Sequence, residues 1–136
     1  MTRQVLLDTN LLIGALHGDA DNPGHQAARD RLAELLQAPD IKLAITPLIR
    51  YEVLRGVRRN DVQTLDKVLD GFVELEIRGR HARRAADLYR QAKKQEVLLD
   101  KRTFDLFHCV CAELEGFDVA SQDGDIPKIQ KLIQAK

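Results

Sequence analysis

The hydrophobic positions of this chain form four short runs, separated by longer stretches with helical periodicity. The runs cover residues 5–7, 43–45, 72–75 and 117–120. The first and last runs show almost no alternation with polar residues, which is typical of strands that are buried on both faces. We therefore expect four short strands.

The stretches between the runs predict helices, two of which start with clear capping sequences. Asn22-Pro23 and Thr46-Pro47 each place a capping residue before a proline at the first helical position. The predicted helices span residues 11–17, 22–38, 47–59, 64–71, 80–96, 102–116 and 126–135. Strands that alternate with helices predict an α/β fold, with three α/β/α layers around a central parallel sheet of about four strands. Ligands of such sheets bind at the carboxyl ends of the strands.

The length and charge balance narrow the class of protein. A chain of 136 residues predicts a single domain over residues 1–136. The 21 Lys and Arg residues balance the 21 Asp and Glu residues, which argues against a polycation that coats nucleic acid or an anionic membrane. A local nucleic-acid site stays open, because the sum does not say where the charges lie. No apolar run approaches the length of about 18 residues that a membrane span requires, so no membrane partner is expected.

The two cysteines, Cys109 and Cys111, are separated by one residue. On a helix this spacing points the side chains about 200° apart, which excludes a disulfide between them. Without further cysteines the chain lacks a zinc-binding set, and a reducing, cytoplasmic setting fits best.

Asp8 and Glu52 stand at positions where a carboxylate has more than one use. Asp8 directly follows the first strand, where it could cap the next helix or take a functional role. Glu52 falls on the apolar arc of helix 47–59, where a carboxylate is costly unless it is paired. A surface pair with Arg55 at i+3 is the alternative, but the place of Glu52 on the apolar arc favours a special role.

Three further acids occur later in the chain. Asp105 lies on the largely apolar helix 102–116, although a first-turn acid also complements the helix dipole. Asp123 and Asp125 follow the last strand, where a turn and a helix cap are the ordinary uses. Carboxylates that converge from these places would repel one another unless a divalent cation neutralised them, and oxygen ligands suit Mg²⁺ or Mn²⁺. Such a site activates water for attack on phosphorus, so the predicted chemistry is metal-assisted phosphodiester hydrolysis.

Four segments of the sequence carry a resemblance to a known family. They are Leu7-Asp8-Thr9-Asn10, Tyr51-Glu52-Val53-Leu54-Arg55-Gly56, Phe104-Asp105-Leu106 and Ser121-Gln122-Asp123-Gly124-Asp125-Ile126. In this order and spacing, over the whole chain, they resemble the PIN-domain ribonucleases, specifically the VapC toxins of bacterial and archaeal toxin–antitoxin modules. The resemblance implies a metal-dependent endoribonuclease with an RNA substrate, a cognate antitoxin protein as partner, and a homodimeric state.

The resemblance also implies roles for individual residues. The acids that it assigns to catalysis are Asp8, Glu52, Asp105 and Asp123. The acids that it assigns to Mg²⁺ or Mn²⁺ as cofactor are Asp8, Asp105 and Asp123, with Asp125 as a contender for the last position or a further ligand. Supporting roles fall to Thr9, Asn10 and Ser121.

The sequence departs from the family pattern at His108 and Ile126. The family commonly has an aliphatic residue at the first position and an aromatic residue at the second. His108 lies one turn from Asp105. It could bond that carboxylate, bind a phosphate or be a satisfied core histidine, and we favour the last of these.

Two basic groups are candidates for RNA binding. Arg50 and Arg55 flank Glu52 on its helix. On helix 80–96 a stripe of Arg83, Asp87, Arg90 and Lys94 is predicted to lie opposite a core side of Ala85, Leu88, Tyr89 and Ala92. The stripe is either an ordinary solvated face or a phosphate contact. The sequence has four Phe, two Tyr and no Trp, which argues against base stacking as the main binding mode.

Two other functions stay open from the sequence alone. The chain could be a catalytically inactive PIN-like module that binds RNA or protein, in which case the acids are caps and salt-bridge partners. It could also be a phosphatase or receiver domain with Asp8 as the nucleophile. Phosphatases of that kind typically carry a second acid two residues after the first, where this chain has Asn10, so we disfavour this interpretation.

Overall fold

Four strands and seven helices account for most of the residues that the computed structural model describes, namely 3–17, 21–97, 103–121 and 125–134. The strands are β1 (Arg3–Leu7), β2 (Ile41–Ile45), β3 (Val73–Glu74) and β4 (Asp118–Ala120). The helices are α1 (Thr9–His17), α2 (Pro23–Gln37), α3 (Pro47–Arg55), α4 (Val62–Leu69), α5 (Gly79–Lys94), α6 (Thr103–Glu115) and α7 (Asp125–Gln134).

The strands form one parallel sheet in the order β3-β2-β1-β4. In this register Val5 of β1 lies opposite Leu43 of β2 and Asp118 of β4. Helices cover both faces, which confirms the predicted three-layer α/β/α fold with a parallel sheet of four strands. The carboxyl ends of β1 and β4 therefore lie side by side, and this edge positions the candidate site.

The core consists of two clusters. The larger cluster is built around the fully buried residues of β1 and includes Leu11, Leu32, Ile49 and Leu69 from the helices α1 to α4. The smaller cluster joins α5, α6 and α7 through residues such as Leu88, Val110 and Ile129. None of the helices in the described part of the chain has the length and apolar character of a membrane span.

Three predicted features differ from the structure. Helix α3 ends at Arg55, because Gly56 caps it and a separate 3₁₀ turn begins at Arg59. Strand β4 is an edge strand whose first residue, Asp118, is exposed, so the expectation of burial on both faces is wrong for it. Tyr89, expected on the core side of α5, is 41% exposed, because the buried face of this helix is made by His81, Ala85, Leu88 and Ala92.

Both cysteines lie on α6, buried and free of disulfides. Burial raises the pKa of the Cys111 thiol to about 11. Burial, together with the negative charges of Asp8 and Asp105, raises the pKa of Cys109 further still. Because the thiolate is the reactive form, both shifts reduce reactivity at neutral pH.

We expect both thiols to resist modification in the folded protein. At about pH 8 an aromatic disulfide reagent should react roughly a hundredfold more slowly with the native protein than with the protein in guanidinium chloride, where two equivalents are released. Absorbance of the released thiolate gives the rates. Rapid release of one equivalent from native protein would contradict the burial of that cysteine.

Candidate metal centre

Asp8 directly follows β1, and both its backbone N–H and its backbone carbonyl are hydrogen-bonded. Its N–H donates to the carbonyl of Ala120 at 2.9 Å, which extends the pairing of β1 with β4 by one residue. Its carbonyl accepts from the N–H of Leu12 at 3.2 Å, which is the first backbone bond of α1, so Asp8 stands at the N-cap position of that helix. The side chain is buried, and its Oδ2 accepts a hydrogen bond from Ser121 Oγ at 2.7 Å. The capping and site interpretations of Asp8 are thus compatible.

Ser121 follows β4 and accepts a hydrogen bond from Arg31, a residue that the sequence did not identify as part of the site. Arg31 on α2 donates from Nη1 to the carbonyl of Ser121 at 2.9 Å. The two residues are 90 positions apart in the sequence, and no local pattern links them. Arg31 therefore helps to fix Ser121, whose hydroxyl supports Asp8.

Glu52 projects from α3 toward α1 and α6, with a side chain that is only 13% exposed. Its Oε1 accepts hydrogen bonds from Thr9 Oγ1 at 2.8 Å and from His108 Nε2 at 2.7 Å. Arg55 is its most distant ionic partner, at 4.0 Å from Oε2. Glu52 is thus paired in the interior with Thr9 and His108, and the Arg55 pair is an addition to these contacts. The special role of Glu52 stays a prediction.

The surroundings of Glu52 favour its charged form. Burial by itself would raise the pKa of this carboxyl, but the hydrogen bonds from His108 and Thr9 and the nearby positive charges outweigh it. The pKa of Glu52 therefore lies below its ordinary value. At neutral pH Glu52 is a carboxylate that is held in one orientation.

His108 is completely buried and belongs to the site. Because the Glu52 carboxylate can only accept, Nε2 of His108 carries the proton in their hydrogen bond. Nδ1 is buried and has no hydrogen-bond partner among the described residues. The favoured interpretation as a satisfied core histidine is therefore wrong: the ring is in the interior, but it contacts Glu52, and one of its nitrogens is not satisfied.

Asp105 completes a group of side chains that suits a cation. One ligand atom each from Asp8, Asp105 and His108 can be chosen so that all three lie within 4.8 Å of one another. Asp8 and His108 are buried, and Asp105 is half-buried. The two carboxylates are ligands for a hard divalent cation, and without a cation they would repel each other. Because Nε2 of His108 donates its proton to Glu52, the imidazole lies beside this pair and is not counted as a ligand through that nitrogen. The residues present therefore fit a divalent cation.

The other predicted site residues have different outcomes. Asp123 lies outside the described residues. Asp125 is the first residue of α7, and its side chain is likewise outside what is described. Thr9 is buried against Glu52, whereas Asn10 is exposed on the first turn of α1. The fourth acid thus stays a prediction.

Arg50, a predicted RNA-binding residue, is paired with acidic side chains within the protein. Its guanidinium is only 19% exposed and reaches three carboxylates: Glu74 at 2.7 Å, Asp70 at 3.1 Å, and Asp66. Burial would lower the pKa of this group, but the hydrogen bonds to Glu74 and Asp66 raise it above its ordinary value. Arg50 fastens α3 to α4 and β3.

The basic residues of α5 also divide into two kinds. Arg84 binds Glu113 of α6 through a pair of bonds at 3.0 and 3.1 Å. Arg83, Arg90 and Lys94 of the predicted stripe are exposed, and Arg90 pairs with Asp87 within the helix. Part of the positive charge of α5 therefore holds the helices together, and the stripe faces solvent as predicted.

Solved structures of low sequence identity share this fold. A toxin–antitoxin complex from Klebsiella pneumoniae contains a chain that is 22% identical, with a TM-score of 0.67, over 88% of this chain and 86% of that one. The VapBC2 complex from Rickettsia felis, bound to a DNA fragment from its promoter, contains a chain that is 15% identical, with a TM-score of 0.69, over 92% of each chain. No curated protein sequence is matched.

A family model decides the assignment. The model of the PIN domain matches residues 5–132. The match begins within β1 and extends into α7, so it contains every acid and the histidine described above. The chain belongs to the PIN domain family.

Proposed function

We propose that this chain is a metal-dependent endoribonuclease that hydrolyses RNA phosphodiester bonds, and that it acts as the toxin of a toxin–antitoxin pair. The observation that carries the proposal is the convergence of Asp8, Asp105 and His108 within 4.8 Å, next to the ionised Glu52. An acidic group of this kind at the carboxyl ends of parallel strands, in a PIN domain, supports nuclease chemistry.

The residues of the site have two kinds of proposed role: some would bind the metal, and others would orient the reacting groups. Asp8 and Asp105, with His108 beside them, would hold Mg²⁺ or Mn²⁺, and Asp123 or Asp125 is the proposed further ligand. A bound divalent cation lowers the pKa of water and neutralises the phosphate. Oε1 of Glu52 accepts hydrogen bonds from Thr9 and His108, so Oε2 is the oxygen that can orient a water and take up its proton. Ser121 keeps the Asp8 carboxylate in position.

The proposed partners follow from the likeness to the solved complexes. Both structures are toxin–antitoxin assemblies, which supports a cognate antitoxin protein as the partner of this chain. A homodimer and a cytoplasmic location are parts of the same proposal. The proposed RNA-binding residues are Arg55 beside Glu52, and Arg83, Arg90 and Lys94 on α5.

The test of the proposal combines cleavage with metal binding. Purified protein should cleave bacterial RNA, assayed as separate transfer, ribosomal and messenger fractions, with Mg²⁺ or Mn²⁺ present. Cleavage should stop with EDTA and return with excess Mn²⁺. Mn²⁺ at a hundred times its Kd should stabilise the fold by about 2.7 kcal/mol, a rise in Tm of roughly 10 °C for a chain of this length.

The two measurements separate the proposal from its alternative. A rise in Tm with Mn²⁺ and no cleavage of any RNA fraction would retain the metal site but remove the nuclease. Absence of both effects would favour a PIN domain that binds RNA or protein without catalysis.

A further inference from the structure

Two aromatic rings from different helices meet beside the acidic residues. Tyr51 of α3 directly precedes Glu52, and Phe104 of α6 directly precedes Asp105. Their ring centroids are 6.2 Å apart with an interplanar angle of 74°, an edge-to-face contact. Although it makes this contact, Tyr51 remains 52% exposed.

A cation connects this aromatic pair to the acids. The guanidinium carbon of Arg55 lies 5.4 Å from the centroid of the Tyr51 ring, which is cation–π distance. A nitrogen of the same guanidinium lies 4.0 Å from Glu52 Oε2. Tyr51, Phe104 and Arg55 therefore form a small aromatic and basic surface, and we call this set the aromatic platform.

Exposure of a tyrosine alone would carry no meaning, because single aromatic residues on a surface are normal. Tyr89 on α5 shows this: it is 41% exposed, and Lys93 lies over its ring at 5.9 Å. Tyr51 differs in two respects. It touches a second ring, and both rings are sequence neighbours of the acids of the candidate site.

We propose that the aromatic platform is a subsite for one unpaired nucleobase, next to the phosphate that is cleaved; this rests on the proposed nuclease function. Nucleobases stack on aromatic rings and on guanidinium planes, and every base has a face for such contact. The Arg55 guanidinium links the two places, because it lies 5.4 Å from the Tyr51 ring centroid and 4.0 Å from Glu52 Oε2. A nucleotide whose phosphate lies at the acids would therefore have its base beside Tyr51. Arg55 can contact the base and the phosphate from one position.

The subsite has a consequence for substrate choice. In an A-form duplex the base faces are stacked on one another and cannot reach a protein ring, whereas bases in loops and single strands can. The platform therefore selects unpaired RNA. With only six aromatic residues in the chain, it accounts for one stacked base, and the rest of the RNA contact is left to basic side chains.

The experiment uses tryptophan as a local probe, since the natural chain has none. Tyr51→Trp and, as a matched control, Tyr89→Trp are mixed rapidly with oligoadenylate, with oligouridylate or with duplex RNA in Mg²⁺, and emission is recorded before turnover. The Tyr51→Trp protein should be quenched saturably by both single strands and not by duplex. The Tyr89→Trp protein should keep its emission.

Affinity gives a second measurement. Tyr51→Ala should raise the Kd for oligoadenylate about tenfold, Tyr51→Phe should retain the affinity, and Tyr89→Ala should change it by less than about twofold. Circular dichroism checks that each variant is folded.

Each remaining outcome decides one of the two proposals. Equal quenching of both tryptophan variants, quenching by duplex, or no response of the Tyr51→Trp protein to either single strand overturns the subsite. Single strands that are bound, by fluorescence anisotropy, and cleaved without quenching the Tyr51→Trp protein overturn the subsite but not the nuclease. Quenching without cleavage of any RNA overturns the nuclease and retains the subsite as a binding site.

Discussion

Replacing Asp8 with asparagine is expected to reduce RNA cleavage by about a hundredfold or more and to abolish the rise in Tm with Mn²⁺. Asparagine has the same shape, can accept the bond from Ser121 Oγ through its amide oxygen, and caps a helix as well as aspartate does. The change therefore removes the charge and keeps the structure. Cleavage rates and thermal melts with and without Mn²⁺ measure the two effects.

The change in Tm of Asp8→Asn in EDTA distinguishes a metal-binding role of Asp8 from a purely structural role. Asp8 lies within ligand distance of Asp105, so removing one charge relieves repulsion, and the Tm without metal should stay the same or rise. Asp118→Asn, at the other end of β4, changes an exposed acid and should leave cleavage unaltered. Cleavage by Asp8→Asn within twofold of the parent would show that the metal centre is elsewhere.

The sequence was sufficient for the elements and for the position of Asp8, because both depend on local patterns. A buried apolar run followed at once by an acid places a carboxylate at the end of a strand. Thr46-Pro47 and Asn22-Pro23 start α3 and α2 where the capping rules expect. What the pattern did not supply is the order of the strands. The contact between Asp8 and Ser121 exists because β4 lies next to β1.

His108 illustrates the limit most clearly. Its spacing from Asp105, three residues on one helix, left a bond to that acid open, although a satisfied core histidine was favoured. The bond that forms is with Glu52, 56 residues away on α3. The packing of α3 and α6 near the end of β1 decides this contact, and helical periodicity holds no information about it.

The aromatic platform was missed for a related reason. The whole chain has six aromatic residues, too few to stack many bases, and this composition argues against stacking as the main binding mode. Composition says nothing about where the rings lie, and Tyr51 meets Phe104 across 53 positions of sequence only because two helices approach each other at the site. The zero net charge likewise says nothing about where the charged residues lie.

The sequence predicts the same RNA-binding role for Arg50 and Arg55, but we expect methionine at the two positions to change different properties. Arg50→Met should lower stability, and Arg55→Met should weaken the salt dependence of RNA binding. Arg50→Met removes the group that joins Asp66, Asp70 and Glu74 and leaves these three acids to repel one another. The free energy of unfolding should fall by about 2 kcal/mol, less than for a fully buried pair because the acids are partly exposed. The salt dependence of RNA binding should not change. Urea unfolding and binding titrations at several salt concentrations measure both.

Arg55→Met should leave the stability nearly unchanged and reduce the salt dependence of RNA binding. Arg55 is 55% exposed, and its distance of 4.0 Å to Glu52 makes a weak pair, so stability should change by no more than about 0.5 kcal/mol. The slope of log K against log salt for single-stranded RNA should fall by about 0.7, the value for one lost phosphate contact. Arg58→Met, on an exposed residue just beyond α3, should leave stability unchanged. A guanidinium held by three carboxylates has little charge left to offer a phosphate, which is why Arg50→Met should keep the salt dependence. A loss of salt dependence in Arg50→Met at unaltered stability would instead place Arg50 on the RNA-binding surface.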